Sequence, residues 1–109
     1  MKTHDFGLTD TEIKLIKQVF AKNPKVCGAI VFGSRAKGDY KDFSDVDIAL
    51  FGELNANDVE EIIYELDMLP IVYKFDVLTY DSVKNPALRE HIDRAGIRLY
   101  HTAPGETPP

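Results

Sequence analysis

What this 109-residue sequence lacks narrows it first. It holds a single cysteine, Cys27, so no internal disulfide framework can form, which suits a reducing cytoplasm. Cys27 sits beside an apolar run and reads as a structural thiol rather than a nucleophile. The three histidines, His4, His91 and His101, show no ligand spacing, which argues against a cysteine–histidine metal site. No apolar run approaches the length of a membrane span, and the N-terminus has no signal-peptide core. Positive charge is scarce as well. Against 18 Asp and Glu stand 13 Lys and Arg, a net charge of −5, so an extended nucleic-acid surface is not expected. Neither a P-loop nor a Rossmann fingerprint is present.

What is present reads as one ordinary globular domain. Hydrophobic residues make up 44% and charged residues 28%, and there is neither a repeat nor a second domain. The domain should occupy residues 1–101, and the tail 102–109, with three prolines and a glycine, should be disordered. Thr9 and Glu12 form a capping box ahead of an apolar stripe of Ile13, Ile16, Val19 and Phe20, which predicts a helix ending near Asn23-Pro24. Val26 to Phe32 and Val46 to Phe51 read as strands. Between them, Gly33 to Gly38 should be a tight turn and a short helix. Asn57 is the expected N-cap of a helix whose stripe is Val59, Ile62, Ile63 and Leu66. A third strand should run from Ile71 to Leu78. Asn85-Pro86 should start a helix closed by Gly96 at C′, followed by a short strand, Ile97 to His101, with Leu99 inward.

The chemistry concentrates between residues 33 and 47. A strand delivers Gly33-Ser34, and ten residues later Asp45-Val46-Asp47 opens the next strand. Residues two apart on a strand share a face, so Asp45 and Asp47 stand together while Val46, Ile48 and Leu50 face the core. Paired carboxylates beside a small, open turn suit a divalent cation and a phosphate chain. The glycine permits close approach, the serine adds a hydroxyl, and Arg35 and Lys37 can add charge. Asp76 is out of place in an apolar strand and needs a partner. It is a third site carboxylate, the ion-pair partner of Lys74, two residues away on the same face, or a residue at an exposed edge position. With Asp45 and Asp47 starting one strand and Asp76 towards the end of another, the three meet if those strands run antiparallel. The sheet is therefore expected to be mixed or antiparallel rather than doubly wound parallel.

Gly33-Ser34-Arg35-Ala36-Lys37-Gly38 followed by Ser44-Asp45-Val46-Asp47-Ile48 resembles the signature of the DNA polymerase β-like nucleotidyltransferase superfamily. More narrowly, it is similar to the minimal nucleotidyltransferase (MNT) antitoxins of HEPN/MNT toxin–antitoxin pairs. The likeness spans about residues 9 to 101. It implies an α/β (α+β) polymerase β-like fold and a third acidic residue in a later strand, best matched by Asp76. It also implies an adenylyltransferase that moves AMP from ATP to a tyrosine of a separately encoded HEPN RNase toxin, neutralising it. In that reading Asp45, Asp47 and Asp76 are the catalytic residues and hold Mg²⁺, two ions in the full arrangement. Gly33, Ser34, Arg35 and Lys37 then hold the phosphates.

A core of about 93 residues leaves little chain to hold an acceptor, so the acceptor surface is expected from another chain. Two alternatives stand beside this reading. One is a non-catalytic antitoxin that acts by binding alone. The other is a nucleotidyltransferase for a small molecule or nucleic acid held by a separate helical subunit. Homo-oligomerisation is left open.

Overall fold

A computed structural model of the protein describes residues 6–102; residues 1–5 and the predicted disordered tail from residue 103 onward lie outside the described residues. The order of elements is α1 (Asp10–Ala21), β1 (Gly28–Phe32), α2 (Ser34–Lys37), β2 (Val46–Phe51), α3 (Ala56–Asp67), β3 (Phe75–Thr79), a 3₁₀ turn (Tyr80–Ser82), α4 (Pro86–Ala95) and β4 (Ile97–His101). Among the described residues no helix is long and apolar enough to cross a membrane.

The helix starts follow their side chains. Thr9 accepts from the Glu12 N–H while the Glu12 side chain accepts from the Thr9 N–H, the expected capping box. The third helix is capped by Asn55 rather than Asn57. The Asn55 Oδ1 accepts from the Asp58 N–H, and the Asp58 Oδ2 accepts from the Asn55 N–H. This reciprocal pair satisfies two donors at once, which a cap at Asn57 would not. Gly96 ends α4 with φ −61°, so it is no left-handed cap. Its lack of a side chain matters for space, because a Cβ would be driven into Ile92 O and Ile30 Cγ2.

Four strands form one mixed sheet in the order β3-β2-β1-β4. β1 pairs antiparallel with β2 and with β4, whereas β2 and β3 are parallel. That parallel pair corrects the antiparallel arrangement expected from Asp76. The reason is where the third strand begins. Ile71 and Tyr73 pack against the core without pairing, and β3 starts only at Phe75. Asp76 is thus near the start of its strand, as Asp47 is near the start of β2, and parallel pairing puts them opposite each other.

The strands' two-residue period divides the core into two layers. On one face Ala29, Val31, Val46, Ile48 and Leu50 pack with Ile16, Phe20, Ile62 and Leu66 of α1 and α3. On the other, Phe32 and Ala49 pack with Ile92 of α4 and Val83. Asp47 shares the parity of Ala49, so it belongs to the α4 face, and Asp45 stands just ahead of β2. Cys27, expected as a structural thiol, is exposed, so it is no part of either layer.

Candidate active site

Three neighbouring strands bring one row of groups to the same end of the sheet. Asp76 of β3 lies opposite Asp47 of β2, and Asp47 lies opposite Phe32, the residue before the Gly33 turn. Asp47 is half-buried, while Asp45 and Asp76 are exposed. Asp76 forms no ion pair with Lys74 among the described residues; its neighbour across the strands is Asp47.

That proximity has an electrostatic cost. Burial, then the Asp76 carboxylate, then Asp45 push the Asp47 pKa up to about 6, with the Arg35 guanidinium pulling the other way. Among the described residues, no three acidic, histidine or cysteine side chains are already gathered around one point. The carboxylates form a row rather than a closed cage. The donor set still fits a hard divalent cation: it offers carboxylate oxygens only, and it carries an excess of negative charge that such a cation would offset.

The turn after β1 is packed onto this row. Gly33 has φ 74° and ψ −150°, a backbone conformation that favours glycine, and Ser34 to Lys37 follow as the single helical turn α2. A Cβ on Gly33 would be driven into Asp47 Oδ2 and would lie 3.1 Å from its Cγ. Gly33→Ala is therefore expected to cost about 1–2 kcal/mol through backbone strain and to turn the Asp47 carboxylate aside. Thermal melting and nucleotide binding on the variant would check this; unchanged melting with unchanged binding would contradict it.

The expected phosphate ligands separate into two kinds. Ser34 is half-buried, and its hydroxyl has no protein partner among the described residues. Lys37 is exposed, with a loose pair to Asp39 at 3.8 Å among the described residues. Arg35 differs from expectation. It is 1% exposed, with Nη1 donating to Phe6 O at 3.0 Å and with Nε and Nη2 both donating to Ser44 O, at 3.2 and 2.8 Å. Its guanidinium lies 4.3 Å from the Tyr73 ring centroid and 5.2 Å from that of Tyr40. Arg35 thus ties α2 to the loop that delivers Asp45, to the N-terminal segment and to the approach to β3. All three of its nitrogens donate to backbone oxygens and the group is buried, a strut beneath the turn rather than the free cation expected beside the phosphates.

One residue went unnoticed as part of this region. His91 of α4 accepts a hydrogen bond from the Gly33 N–H at 2.9 Å and sets its ring edge-on to Phe32. Sequence spacing carried no signal for it, because its partner is a backbone amide 58 residues away. A groove of about 720 Å³ lies elsewhere, between α1 and β4, lined by Ile13, Lys14, Lys17 and Arg98. Asp45, Asp47 and Asp76 lie outside that groove.

A family model described as "Polymerase beta, Nucleotidyltransferase" matches residues 14–104. Among solved structures, a toxin–antitoxin with AMP-PNP superposes with a TM-score of 0.68 at 24% identity, covering 83% of this chain and 73% of that one. The toxin–antitoxin MntA-HepT gives a TM-score of 0.64 at 21% identity over 86% and 74% of the two chains. A complex of tri-AMPylated Shewanella oneidensis HEPN toxin with MNT antitoxin gives 0.63 at 21% over 84% and 71%. No curated protein matches the chain. At these identities the structural likeness establishes the fold.

Proposed function

Because this chain belongs to the polymerase β nucleotidyltransferase family, we propose that it transfers AMP from ATP to a protein acceptor, a HEPN-type toxin that it neutralises. The observation that carries this reading is the row of Asp76, Asp47 and the Gly33 turn at one end of the sheet. The fold neighbours add support, since one is described with AMP-PNP and another with a tri-AMPylated HEPN toxin.

The roles follow from position. Asp45 and Asp47 would hold Mg²⁺ and orient the triphosphate, with Asp76 as the third carboxylate of the set. When bound, Mg²⁺ supplies positive charge that offsets the carboxylates and the charge developing on the phosphates. Ser34 and Lys37 bind the β- and γ-phosphates at the turn. The acceptor's tyrosine oxygen forms a bond to the α-phosphorus while the bond from that phosphorus to the β-phosphate's bridging oxygen breaks. Pyrophosphate leaves, and the tyrosine proton passes to Asp76 or to water. The carboxylate row is open to solvent, which gives a partner room to present its acceptor.

The test combines the protein, Mg²⁺, α-labelled ATP and a candidate HEPN partner, with Asp45→Asn/Asp47→Asn as control. Label should appear on the partner and vanish in the control. Absence of label, with both proteins still silencing the partner, would replace transfer by neutralisation through binding. Label on a small molecule or RNA alone would move the acceptor to another class.

A further inference from the structure

We propose that His91 is a positioning residue for the phosphate-binding turn, acting as the hydrogen-bond acceptor that holds the Gly33 peptide in its unusual conformation. The effect on ATP rests on the nucleotidyl-transfer reading; the effect on Gly33 does not.

The turn has a difficult task. Gly33 must hold φ 74° and ψ −150° while pressed against the Asp47 side chain. Glycine reaches this conformation without steric cost but is as free to leave it, so the surroundings must select it. α2 is a single turn, and its own bonds to this region are Lys37 N–H to Gly33 O at 3.1 Å and Gly38 N–H to Ser34 O at 3.0 Å. They fix the downstream side of Gly33 and leave its own N–H unpaired. The bond from that N–H to His91 Nε2, at 2.9 Å, fixes the upstream side.

His91 is itself well anchored. Asn85 caps α4 by accepting from the Ala87 and Leu88 N–H groups, and Pro86 occupies the first turn. The next residue, Ile92, is 1% exposed in the layer with Phe32 and Ala49. The His91 ring meets Phe32 edge-on with centroids 6.3 Å apart. A backbone N–H can only donate, so Nε2 must carry a lone pair and the ring proton must sit on Nδ1. α4 therefore reaches across the sheet end to fix the peptide immediately before Ser34. The polar role explains why a histidine stands where packing on Phe32 alone would accept any ring.

Two substitutions separate acceptor from packing. His91→Gln keeps an acceptor, since the glutamine Oε1 lies three bonds from Cβ, as Nε2 does. His91→Phe keeps a ring against Phe32 and removes the acceptor. In the labelled-ATP transfer assay on the full chain with Mg²⁺ and the HEPN partner, His91→Phe should raise KM for ATP about five- to tenfold, the scale of one hydrogen bond, with kcat changed far less. His91→Gln should restore KM to within about twofold on the same scale. Hydrogen exchange at the Gly33 amide gives a second readout that needs no activity. It should quicken in His91→Phe and stay slow in wild type and His91→Gln.

The proposal is overturned if the two variants behave alike, which would make the role one of packing. It is also overturned if Gly33 exchange quickens in His91→Phe while the KM for ATP stays put. If wild-type protein transfers no label to any acceptor, the transfer reading fails by itself. Gly33 exchange and direct ATP binding across the three proteins then still decide the role of His91.

Discussion

Asp47→Asn should melt at a higher temperature than wild type at pH 7 in the absence of divalent metal, while losing nucleotidyl transfer. The wild-type carboxyl has its pKa pushed up to about 6 from 3.8, chiefly by burial and then by Asp76 and Asp45. The folded state therefore binds the Asp47 proton more tightly than the unfolded chain does. Linkage then requires stability to fall as pH rises from about 4 through about 6. At pH 7 the charged, half-buried Asp47 opposes folding. A rise from 3.8 to about 6 corresponds to about 3 kcal/mol in full, and solvent screening of a half-exposed group reduces this to about 1–2 kcal/mol. In a domain of this size that is a gain of about 5 °C or more for the uncharged asparagine.

Activity should move the other way, down about a hundred- to thousandfold, the scale of a preorganised electrostatic group at a reacting centre. Melting curves at pH 4.5, 6 and 7.5, with EDTA and with Mg²⁺, would check the stability side. Mg²⁺ should raise wild-type melting at pH 7 and leave the variant nearly unchanged. A variant less stable than wild type at pH 7 without metal would refute the electrostatic account. The same carboxylate that weakens the fold is the one the chemistry needs.

How much of this was legible beforehand depends on the range over which each signal acts. The helix starts at Thr9 and Asn85 and the strand Val46 to Phe51 were readable, because caps and two-residue alternation are local. Asp76 stands out in the sequence as an aspartate within an apolar strand, but the burial cost expected there does not arise, because Asp76 is exposed on the edge strand β3, and its pairing with β2 is parallel. The alternation from Ile71 to Leu78 is real as burial and false as pairing: the first residues pack on the core without joining the sheet. Periodicity reports which side chains turn inward and is silent on which strand edge they meet. That silence reversed the inferred strand direction. Asn55 was missed as a cap for a smaller reason: Asn57 also precedes acidic residues, and only the reciprocal bond with Asp58 separates the two. His91 and Arg35 lie beyond reach of any spacing rule, since both act on backbone groups brought near by the fold.

Arg35 gives the largest stability effect expected of any single change in the site region. Arg35→Ala should destabilise the protein by about 3 kcal/mol, because truncation removes three hydrogen bonds to Phe6 O and Ser44 O and a cation beside the Tyr40 and Tyr73 rings. A loss of that size lowers the melting temperature by more than about 10 °C. Arg35→Lys is the sharper test. Lysine keeps the charge but cannot reproduce the planar fork that spans Phe6 O on one side and Ser44 O on the other. It should therefore lose most of the stability that alanine loses. Were Arg35 a phosphate ligand, lysine would largely preserve folding and alter ATP affinity directly. Thermal melts together with ATP titration well below the melting transition separate the two. Lowered melting with ATP affinity within about threefold of wild type, less than the loss of one charge-assisted hydrogen bond, is the outcome expected of a strut. Unchanged melting with weakened ATP binding would return the guanidinium to the phosphates. The strut role also bears on catalysis, because Ser44 directly precedes Asp45. Through Ser44 O, a residue whose side chain is out of contact with solvent sets where the first exposed carboxylate of the row begins.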